Sequence, residues 1–296
     1  MLEQSNVLTL SKASKVIVTG SAGFLGKHLV RRLTFAGYDV IGWDIVEGND
    51  VCDPNLKSTD IDAIYHLASP VDPGHYEKIA VDVGRTNFLG TLNMLNLAKE
   101  NKAKFLFTSS SEVYGDMGSR PFKETDVGKV DVSDQRAYYS EAKRAGEMLT
   151  LLYHNLYSLD VRIVRPFNIY GPGMRKNDSR VIPSFIREIQ RDKPIIIYGL
   201  GQATRTFCYV DDFIEGMMRA MYYPNTNGET FNLGTTEEIS ISELAQLFGN
   251  QIEYKESRKD EPAHRRPNIS KAKKILKWEP MIKLRKGLEL TWAHYR

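Results

Sequence analysis

The sequence predicts an α/β fold: a doubly wound parallel sheet, followed by a smaller C-terminal α/β region. In the first half, short β-branched or apolar runs alternate with amphipathic helical stretches, which indicates parallel strands joined by crossover helices. The strand candidates are mostly apolar, and this is typical of a sheet covered by helices on both faces. After about residue 170 the elements become shorter and more mixed.

The elements follow in order along the chain. The strand candidates are 15–20, 39–44, 63–68, 104–109 and 161–166, and the helix candidates between them lie near 24–36, 87–101 and 139–158. Later, VIPSFIREIQRD (181–192) predicts a helix and PIIIYG (194–199) a strand. We predict a first domain over 1–170 and a second region over 171–296, with 205–235 returning to the first domain.

Composition and charge give no indication of several classes of protein. A formal net charge of +3 over 296 residues gives no indication of a nucleic-acid partner, and we expect none. No stretch approaches the ~20 apolar residues of a membrane span, and the first fourteen residues lack a signal-peptide pattern. We therefore expect a cytoplasmic protein without a membrane partner. Cys52 and Cys208 have no metal-binding spacing, so we expect reduced structural thiols and no metal.

A glycine-rich turn follows the first strand candidate. In VTGSAGFLG (18–26), Gly20 allows a tight turn, Gly23 lets backbone N–H groups approach a pyrophosphate, and Gly26 permits close helix–strand packing. Phe24 and Leu25 complete the expected cofactor-binding turn. Asp44 ends the next strand candidate, where an acid binds ribose hydroxyls and repels a 2′-phosphate. The pattern predicts a Rossmann-type domain that binds NAD rather than NADP.

Asp53, in VCDPN, has two interpretations that the sequence leaves open. Its carboxylate can reach the adenine of the cofactor, or it can cap or stabilise a local turn.

A tyrosine and a lysine four residues apart indicate acid–base chemistry. In AYYSEAK (137–143), Tyr139 and Lys143 share one face of a predicted helix. An ammonium beside a phenol, together with a positively charged nicotinamide, stabilises the phenolate and makes it a usable base near neutral pH. Tyr138 lies one step off this face. The alternative, two exposed helix side chains, is disfavoured by the glycine turn upstream.

Motifs along nearly the whole chain resemble the extended short-chain dehydrogenases that act on nucleotide sugars, and most of all the UDP-glucuronate decarboxylases. The motifs are TGSAGFLG, HLASP (66–70), NFLGT (87–91), SSSEVYG (109–115), YSEAK (139–143), RPFNIYGPG (165–173), RTFCYVDD (205–212) and WEP (278–280). The resemblance implies cofactor contacts at Leu67 and Ala68, and supporting roles for Asn87 and Tyr114.

The stretch TSSSEVYG (108–115) carries the subfamily signal. The resemblance places the proton-relay hydroxyl at Ser110, and it gives decarboxylases Ser–Glu where 4,6-dehydratases carry Asp–Glu; here this pair is Ser111–Glu112. After oxidation at C4, a C6 carboxylate is β to a ketone and leaves as carbon dioxide. No acid is needed to expel hydroxide, and a serine can hydrogen-bond a carboxylate that an aspartate would repel. Ser110, Ser111 and Glu112 are therefore expected catalytic residues, and Ser109 an ordinary strand-end residue.

The resemblance also implies a set of substrate-binding groups. Arg205 and Asn168 match family positions near the nucleotide diphosphate, and Arg180 lies near the base or phosphates. Arg265 matches a decarboxylase arginine near the sugar carboxylate or C5, and we count it as catalytic. For each arginine the alternative is a solvated surface charge.

One segment departs from the family pattern. Decarboxylases carry N-P-x-K before the K-T-N that opens the following helix, whereas EKIAVDVGRTN (77–87) has no proline, Asp82 for the lysine, and Arg85 as the retained cation. An inward Asp82 would repel a sugar acid unless Arg85 compensates.

The sequence thus predicts an NAD-dependent UDP-glucuronate decarboxylase that returns hydride to the 4-ketopentose and forms UDP-xylose. The alternatives are release of the 4-keto sugar, a 4,6-dehydratase or 4-epimerase, and a non-catalytic cofactor sensor, which retention of Ser110, Tyr139 and Lys143 disfavours. We expect a UDP-sugar substrate and a homodimer paired through the helix near 139–158. Its apolar stripe is expected to be buried, by this chain or a partner: Met148, Leu149, Leu152, Tyr153, Leu156.

Overall fold

The computed structural model describes residues 14–71, 76–134, 137–249, 251–256 and 264–296. Its strands are β1 (Lys15–Thr19), β2 (Asp39–Trp43), β3 (Ala63–His66), β4 (Lys104–Thr108), β5 (Val161–Pro166), β6 (Ile169–Tyr170), β7 (Ile195–Tyr198), β8 (Thr204–Thr206), β9 (Cys208–Tyr209), β10 (Glu229–Leu233), β11 (Glu238–Ser240) and β12 (Ile252–Lys255). Its α-helices are α1 (Phe24–Phe35), α2 (Tyr76–Arg85), α3 (Thr91–Asn101), α4 (Ala137–Tyr157), α5 (Val181–Gln190), α6 (Val210–Tyr222), α7 (Ile241–Gln246), α8 (Ser270–Leu276) and α9 (Leu284–Tyr295).

The main sheet has six parallel strands in the order β10-β5-β4-β3-β1-β2. The register aligns Val16 with Ala63 on β3, and Phe105 with Val161 on β5. The strands predicted from the sequence pair as expected, which confirms the doubly wound α/β class.

Both faces of this sheet are buried, as its apolar strands require. Successive residues of β1 point to opposite faces, so Val16 and Val18 join one core and Ile17 joins the other. Helices α1 and α6 pack against each other on the first side, and α3 and α4 on the second. The two layers leave the carboxyl ends of the strands as the open edge.

The strand order reverses at β1, which lies between β2 and β3. In an open α/β sheet, such a reversal leaves a crevice at the carboxyl ends of the strands, where ligands bind. The glycine turn follows β1 and the Ser–Glu pair follows β4, so both predicted motifs lie along this one edge.

The later elements form short pairs beside the sheet: β8 with β11, β7 with β12, and β6 with β9. Within the segment 205–235, β10 is the edge strand beside β5 and α6 covers the adjacent face. The boundary at residue 170 stays a prediction.

The helix predicted near 87–101 has a more complex beginning. Helix α2 ends at Arg85, a π-helical stretch covers Thr86–Gly90, and α3 starts at Thr91. The apolar residues of α2 that face the protein, Ile79 and Val83, are few, and Gly84 interrupts the pattern, so the sequence did not indicate this helix.

Both cysteines are buried and free, as expected. Within the described ranges, no helix combines the length and the apolar character needed to cross a membrane.

Candidate active site

The glycine turn fits tightly against β3. Gly20 has φ +69°, and its N–H donates to the carbonyl of Trp43 at 2.8 Å. A Cβ on Gly20 would lie 3.0 Å from the backbone nitrogen of Ala68, and one on Gly26 would lie 2.0 Å from the carbonyl oxygen of Gly20. Any side chain at Gly26 would therefore push α1 away from the turn.

The N-terminus of α1 fits a pyrophosphate. Its N-cap is Gly23, and no side chain of the described residues caps the first turn. Lys27 N–H donates to the carbonyl of Gly23 at 3.1 Å, so the N–H groups of Phe24, Leu25 and Gly26 precede the first helical hydrogen bond. Three backbone donors at the positive end of a helix form an anion site, and these residues fit the diphosphate of NAD.

Asp44 has a structural role beside its predicted one. One carboxylate oxygen accepts from Ala22 N–H at 3.0 Å and the other from Val46 N–H at 3.2 Å. The carboxylate thus ties the glycine turn to the end of β2. A carboxylate offers about four acceptor sites, so two remain for ribose hydroxyls.

Leu67 and Ala68 lie beside the glycine turn because a buried polar chain holds them there. Thr19 Oγ1 accepts from their N–H groups at 3.1 and 3.0 Å and therefore donates to His66 Nδ1 at 2.8 Å. Burial and the nearby Lys143 lower the pKa of His66 to about 3, so its ring stays neutral. His66 Nε2 then donates to Thr91 Oγ1 at 3.1 Å. Thr19 and His66 were not among the cofactor-binding residues predicted from the sequence.

Asp53 is exposed, and its Oδ1 accepts from Asn55 N–H at 2.8 Å. The turn role is therefore present, and a contact with adenine stays a prediction.

Tyr139 and Lys143 lie on one face of α4, above β4. Lys143 is 3% exposed, its ammonium donates to the carbonyl of Thr108 at 2.9 Å, and its Nζ lies 5.9 Å from the centre of the Tyr139 ring. Burial lowers the pKa of Lys143 to about 7, although Glu147 acts in the opposite direction. The close approach of α4 to β4 depends on Gly146, where a Cβ would lie 2.3 Å from the Phe107 ring.

The Ser–Glu pair opens a short 3₁₀ helix, Ser111–Tyr114, at the end of β4. Ser110 is its N-cap and accepts from Glu112 N–H at 3.2 Å. The backbone thus turns so that Ser110 and Ser111 are buried, while the Glu112 side chain is 29% exposed.

Arg265 forms an ion pair with Glu112, from a position 153 residues later in the chain. The arginine side chain is only 8% exposed, and its Nε is buried without a hydrogen-bond partner among the described residues. A guanidinium with an unmatched buried donor, next to a carboxylate, suits an anionic ligand. The structure thus brings together two residues that the sequence analysis selected separately.

Asn168 and Arg205 lie on neighbouring segments. Asn168 has φ +42°, and its Nδ2 donates to the carbonyl of Thr206 at 3.0 Å. Arg205 is half-buried on β8 and donates to the carbonyl of Thr204 at 2.8 Å. The Asn168 side chain is therefore bonded to the residue that follows Arg205, and their contact with a substrate stays a prediction.

Arg180 lies near the glycine turn. Its guanidinium is 5.9 Å from the centre of the Phe24 ring and forms a fork with Asp178, at 2.9 Å from Nε and 2.5 Å from Nη2. Burial opposes the effect, but Arg180 still lowers the pKa of Asp178. This pairing neutralises part of the positive charge of Arg180, which we predicted from the sequence to bind the substrate.

Asp82 is exposed on α2, and Arg85 pairs with Asp50 at 3.1 Å. The retained cation of this segment thus has Asp50 as an ion-pair partner.

A buried ion pair beneath the site was missed by the sequence analysis. Glu147, one helical turn after Lys143, binds Arg165 through both carboxylate oxygens, at 2.7 and 2.6 Å. Its Oε1 also accepts from Ser109 Oγ at 2.5 Å, so Ser109 is more than strand-end packing. The sequence did contain a signal, which is a charged residue within each segment predicted to be buried: Glu147 lies on the lysine face of α4, and Arg165 lies in VRIVRP.

Comparison with known proteins agrees with this geometry. Residues 16–234 match the NAD dependent epimerase/dehydratase family. The chain is 40% identical over 311 residues to UDP-glucuronic acid decarboxylase 4 of Arabidopsis thaliana, covering 96% of this chain and 69% of that protein. It is 37% identical to UDP-glucuronic acid decarboxylase 1 of Xenopus tropicalis, covering 95% and 72%.

Solved structures give the same picture. UDP-glucuronic acid 4-epimerase from Bacillus cereus, in complex with UDP-glucuronic acid and NAD, superposes with a TM-score of 0.83 at 30% identity, covering 95% of this chain and 98% of that one. UDP-glucose 4-epimerase from Thermotoga maritima, with UDP-glucose, gives 0.86 at 26% identity, with the same coverage. The match over 16–234 also confirms the predicted cofactor, NAD. The fold, the glycine turn and these similarities together place the chain in the NAD dependent epimerase/dehydratase family.

Proposed function

We propose that the protein decarboxylates UDP-glucuronate to UDP-xylose, with NAD recycled in each turnover. The observation that carries this proposal is the Glu112–Arg265 ion pair directly after the relay serine, in a chain that is 40% identical to a UDP-glucuronic acid decarboxylase. A neutral hexose offers no anion to the unmatched buried Nε of Arg265, whereas the carboxylate of a sugar acid does.

Bound NAD would supply the hydride acceptor at C4 and return the hydride at the end. The N-terminus of α1 would hold its diphosphate, and Asp44 its adenosine ribose. Lys143 lies in the same buried region as the neutral His66 and would face the nicotinamide ribose. These groups orient the cofactor along the carboxyl edge of the sheet.

The first chemical step takes the proton of the C4 hydroxyl. Tyr139 is the base, because the Lys143 ammonium next to its ring stabilises the phenolate. Ser110 orients the hydroxyl and relays the proton. When the C4 hydride is also lost, for which bound NAD would be the acceptor, the product is a sugar with a C4 ketone and a C6 carboxylate.

The second step breaks the bond between C5 and C6. The bonding electrons move into an enolate across C4 and C5, carbon dioxide leaves, and a proton returns to C5. Arg265 binds the carboxylate before it leaves, and Ser111 donates a neutral hydrogen bond instead of a repelling charge. Glu112 holds the guanidinium of Arg265 in place until the sugar carboxylate arrives.

Substrate affinity comes mainly from the diphosphate. Arg205 and Asn168 line one wall, and Arg180 stands next to Phe24 at the other end. A guanidinium binds phosphate oxygens bidentately, so Arg205 provides the strongest single contact.

The active unit in this proposal is a cytoplasmic homodimer. Leu149 and Tyr153 of α4 are buried by the chain itself, while other apolar residues remain exposed on α4 and the neighbouring π-helical stretch: Met148, Leu152, Leu156, Phe88 and Leu89. An exposed apolar strip on two adjacent helical segments suits a second copy. Light scattering should give twice the chain mass, and Leu152→Glu should give a monomer.

The function is tested by incubating the purified protein with NAD and UDP-glucuronate, while carbon dioxide and the nucleotide sugar are followed by NMR. The expected result is one carbon dioxide per UDP-xylose. Formation of UDP-galacturonate would identify a 4-epimerase, and UDP-4-ketopentose with reduced cofactor would identify a decarboxylase that stops early. Unchanged UDP-glucuronate, with turnover of UDP-glucose or dTDP-glucose, would overturn the proposal.

A further inference from the structure

The ion pair beneath Lys143 continues as a chain of buried hydrogen bonds. Arg165 uses its Nε and Nη2 on Glu147, and its Nη1 donates to the Tyr114 hydroxyl at 2.7 Å. That hydroxyl donates in turn to Asn232 Oδ1 at 2.8 Å. Every one of these residues, taken with its backbone, is at least nine-tenths buried.

The chain then passes through Asn232 to the segment that carries Arg265. Asn232 Nδ2 donates to the carbonyl of Phe122 at 2.9 Å, which also accepts from Asn268 N–H at 2.8 Å. Phe122 N–H donates to the carbonyl of Arg266 at 2.8 Å. Phe122 thus clamps the residues immediately after Arg265.

The two ends of this network lie at the two ends of the proposed chemistry. Glu147 is one turn of α4 from Lys143 and binds Ser109, the neighbour of Ser110. Arg266 is the neighbour of Arg265, which pairs with Glu112. The network therefore connects the residues of C4 oxidation to those that hold the sugar carboxylate.

Stability alone is a poor explanation for this arrangement. A buried ion pair is often no more stable than apolar residues of the same volume, because both charges must leave water. The Glu147–Arg165 pair is further bonded to the Ser109 and Tyr114 hydroxyls and to the carbonyl of Glu124, so we infer that it fixes geometry rather than binding a ligand.

We propose that Tyr114, Glu147, Arg165 and Asn232 are positioning residues that hold Arg265 in register with Tyr139 and Lys143. Tyr114 is the midpoint, because its hydroxyl is the contact between the Arg165 half and the Asn232 half. Substrate enters with its C4 hydroxyl at one end and its carboxylate at the other, so a loss of register slows catalysis without weakening cofactor binding.

The test is Tyr114→Phe, which keeps the ring that packs against Phe122 and Phe167 at 5.3 and 6.1 Å and removes only the hydroxyl. The matched control is Tyr153→Phe, which also removes a tyrosine hydroxyl that donates to an asparagine, Asn96 Oδ1 at 2.6 Å. Tyr153 lies about four helical turns beyond Tyr139 and outside the network.

Two readouts are measured on the full chain. Hydrogen exchange of the Phe122 and Asn268 amides should be about tenfold faster in Tyr114→Phe than in Tyr153→Phe. The kcat for carbon dioxide release should fall about tenfold in Tyr114→Phe alone. The NAD Kd should stay within about twofold of the unsubstituted protein in both variants.

The catalytic readout rests on the proposed function, whereas the exchange readout does not. If the unsubstituted protein releases no carbon dioxide, the proposed function fails, and the amide exchange rates alone decide whether the network is connected. Equal exchange rates in the two variants would overturn the proposal. So would faster exchange in Tyr114→Phe with kcat unchanged, because the network would then have only a structural role.

Discussion

The cofactor edge and the carboxylate end of the cleft are built in opposite ways. The cofactor edge uses backbone N–H groups of residues adjacent in the chain, and the carboxylate of Asp44 lies beside them. The carboxylate end uses charged side chains, and its two partners, Glu112 and Arg265, are 153 residues apart. Backbone donors come with the turn that presents them, whereas a long-range charge pair must be held in register by buried contacts.

Tyr139→Phe should produce the largest change, and it acts between the two ends. Removal of the base should lower kcat about 10²–10⁴-fold, because neither end can replace a positioned proton acceptor. NAD affinity, measured by calorimetry, should be unaffected. Tyr138→Phe is the control and should keep normal turnover. If the two variants lose activity equally, Tyr139 is not the base.

Glu147→Gln should disrupt the buried network that holds Arg265 at the carboxylate end of the cleft. It leaves the Arg165 guanidinium buried without a carboxylate, and we expect a loss of about 3–5 kcal/mol in the free energy of unfolding by urea. The double variant with Glu147→Leu and Arg165→Met removes both charges and should recover most of that loss. A single variant as stable as the original would show that the pair is not desolvated in solution.

Lys143 makes stability depend on pH. Its pKa is lowered by burial to about 7 in the folded protein, against 10.5 for an ordinary lysine. Between these values the unfolded chain binds the extra proton, so the free energy of unfolding rises with pH, by up to about 1.4 kcal/mol per pH unit. Below about pH 7 both states are protonated and this contribution to the slope disappears.

The measurement compares urea unfolding of the unsubstituted protein and Lys143→Met from pH 6 to about pH 10. The difference between the two free energies of unfolding should be constant below about pH 7, and at higher pH it should change in favour of the unsubstituted protein. A difference that is constant over the whole range would mean that Lys143 is not buried as described.

Asp44→Asn should have the smallest effect, confined to the cofactor edge. The amide keeps an acceptor for Ala22 N–H but loses the charge, so NAD affinity should fall about tenfold. Asp39→Asn, at the other end of β2, should leave the affinity unchanged. If Asp44→Asn changed the amount of carbon dioxide released per oxidised sugar, the cofactor edge and the carboxylate end would not act separately.

Prediction from the sequence succeeded where residues that act together are also close together in the sequence. The strands of the sheet follow from short apolar runs, the glycine turn from the positions of its glycines, and the Tyr139–Lys143 pair from a spacing of four residues. The family resemblance supplied Glu112 and Arg265 separately, and only the structure shows their ion pair.

The Glu147–Arg165–Tyr114–Asn232 network could not be predicted in this way. Each member belongs to a different element, and no local motif indicates that these side chains meet. Whether a buried Glu147 meets an arginine depends on how α4 crosses β5, which is a tertiary property. The exposure of Asp82 and the ion-pair partner of Arg85 likewise depend on which side of α2 faces the protein.

The most direct test of the account is a comparison of Glu112→Gln with the unsubstituted protein on UDP-glucuronate labelled at C6. The account predicts carbon dioxide and UDP-xylose from the unsubstituted protein. For Glu112→Gln it predicts normal NAD binding with carbon dioxide release slowed at least about tenfold, since Arg265 loses its charged partner. Labelled carbon dioxide released by Glu112→Gln at the unsubstituted rate would contradict the assignment of the Glu112–Arg265 pair to decarboxylation.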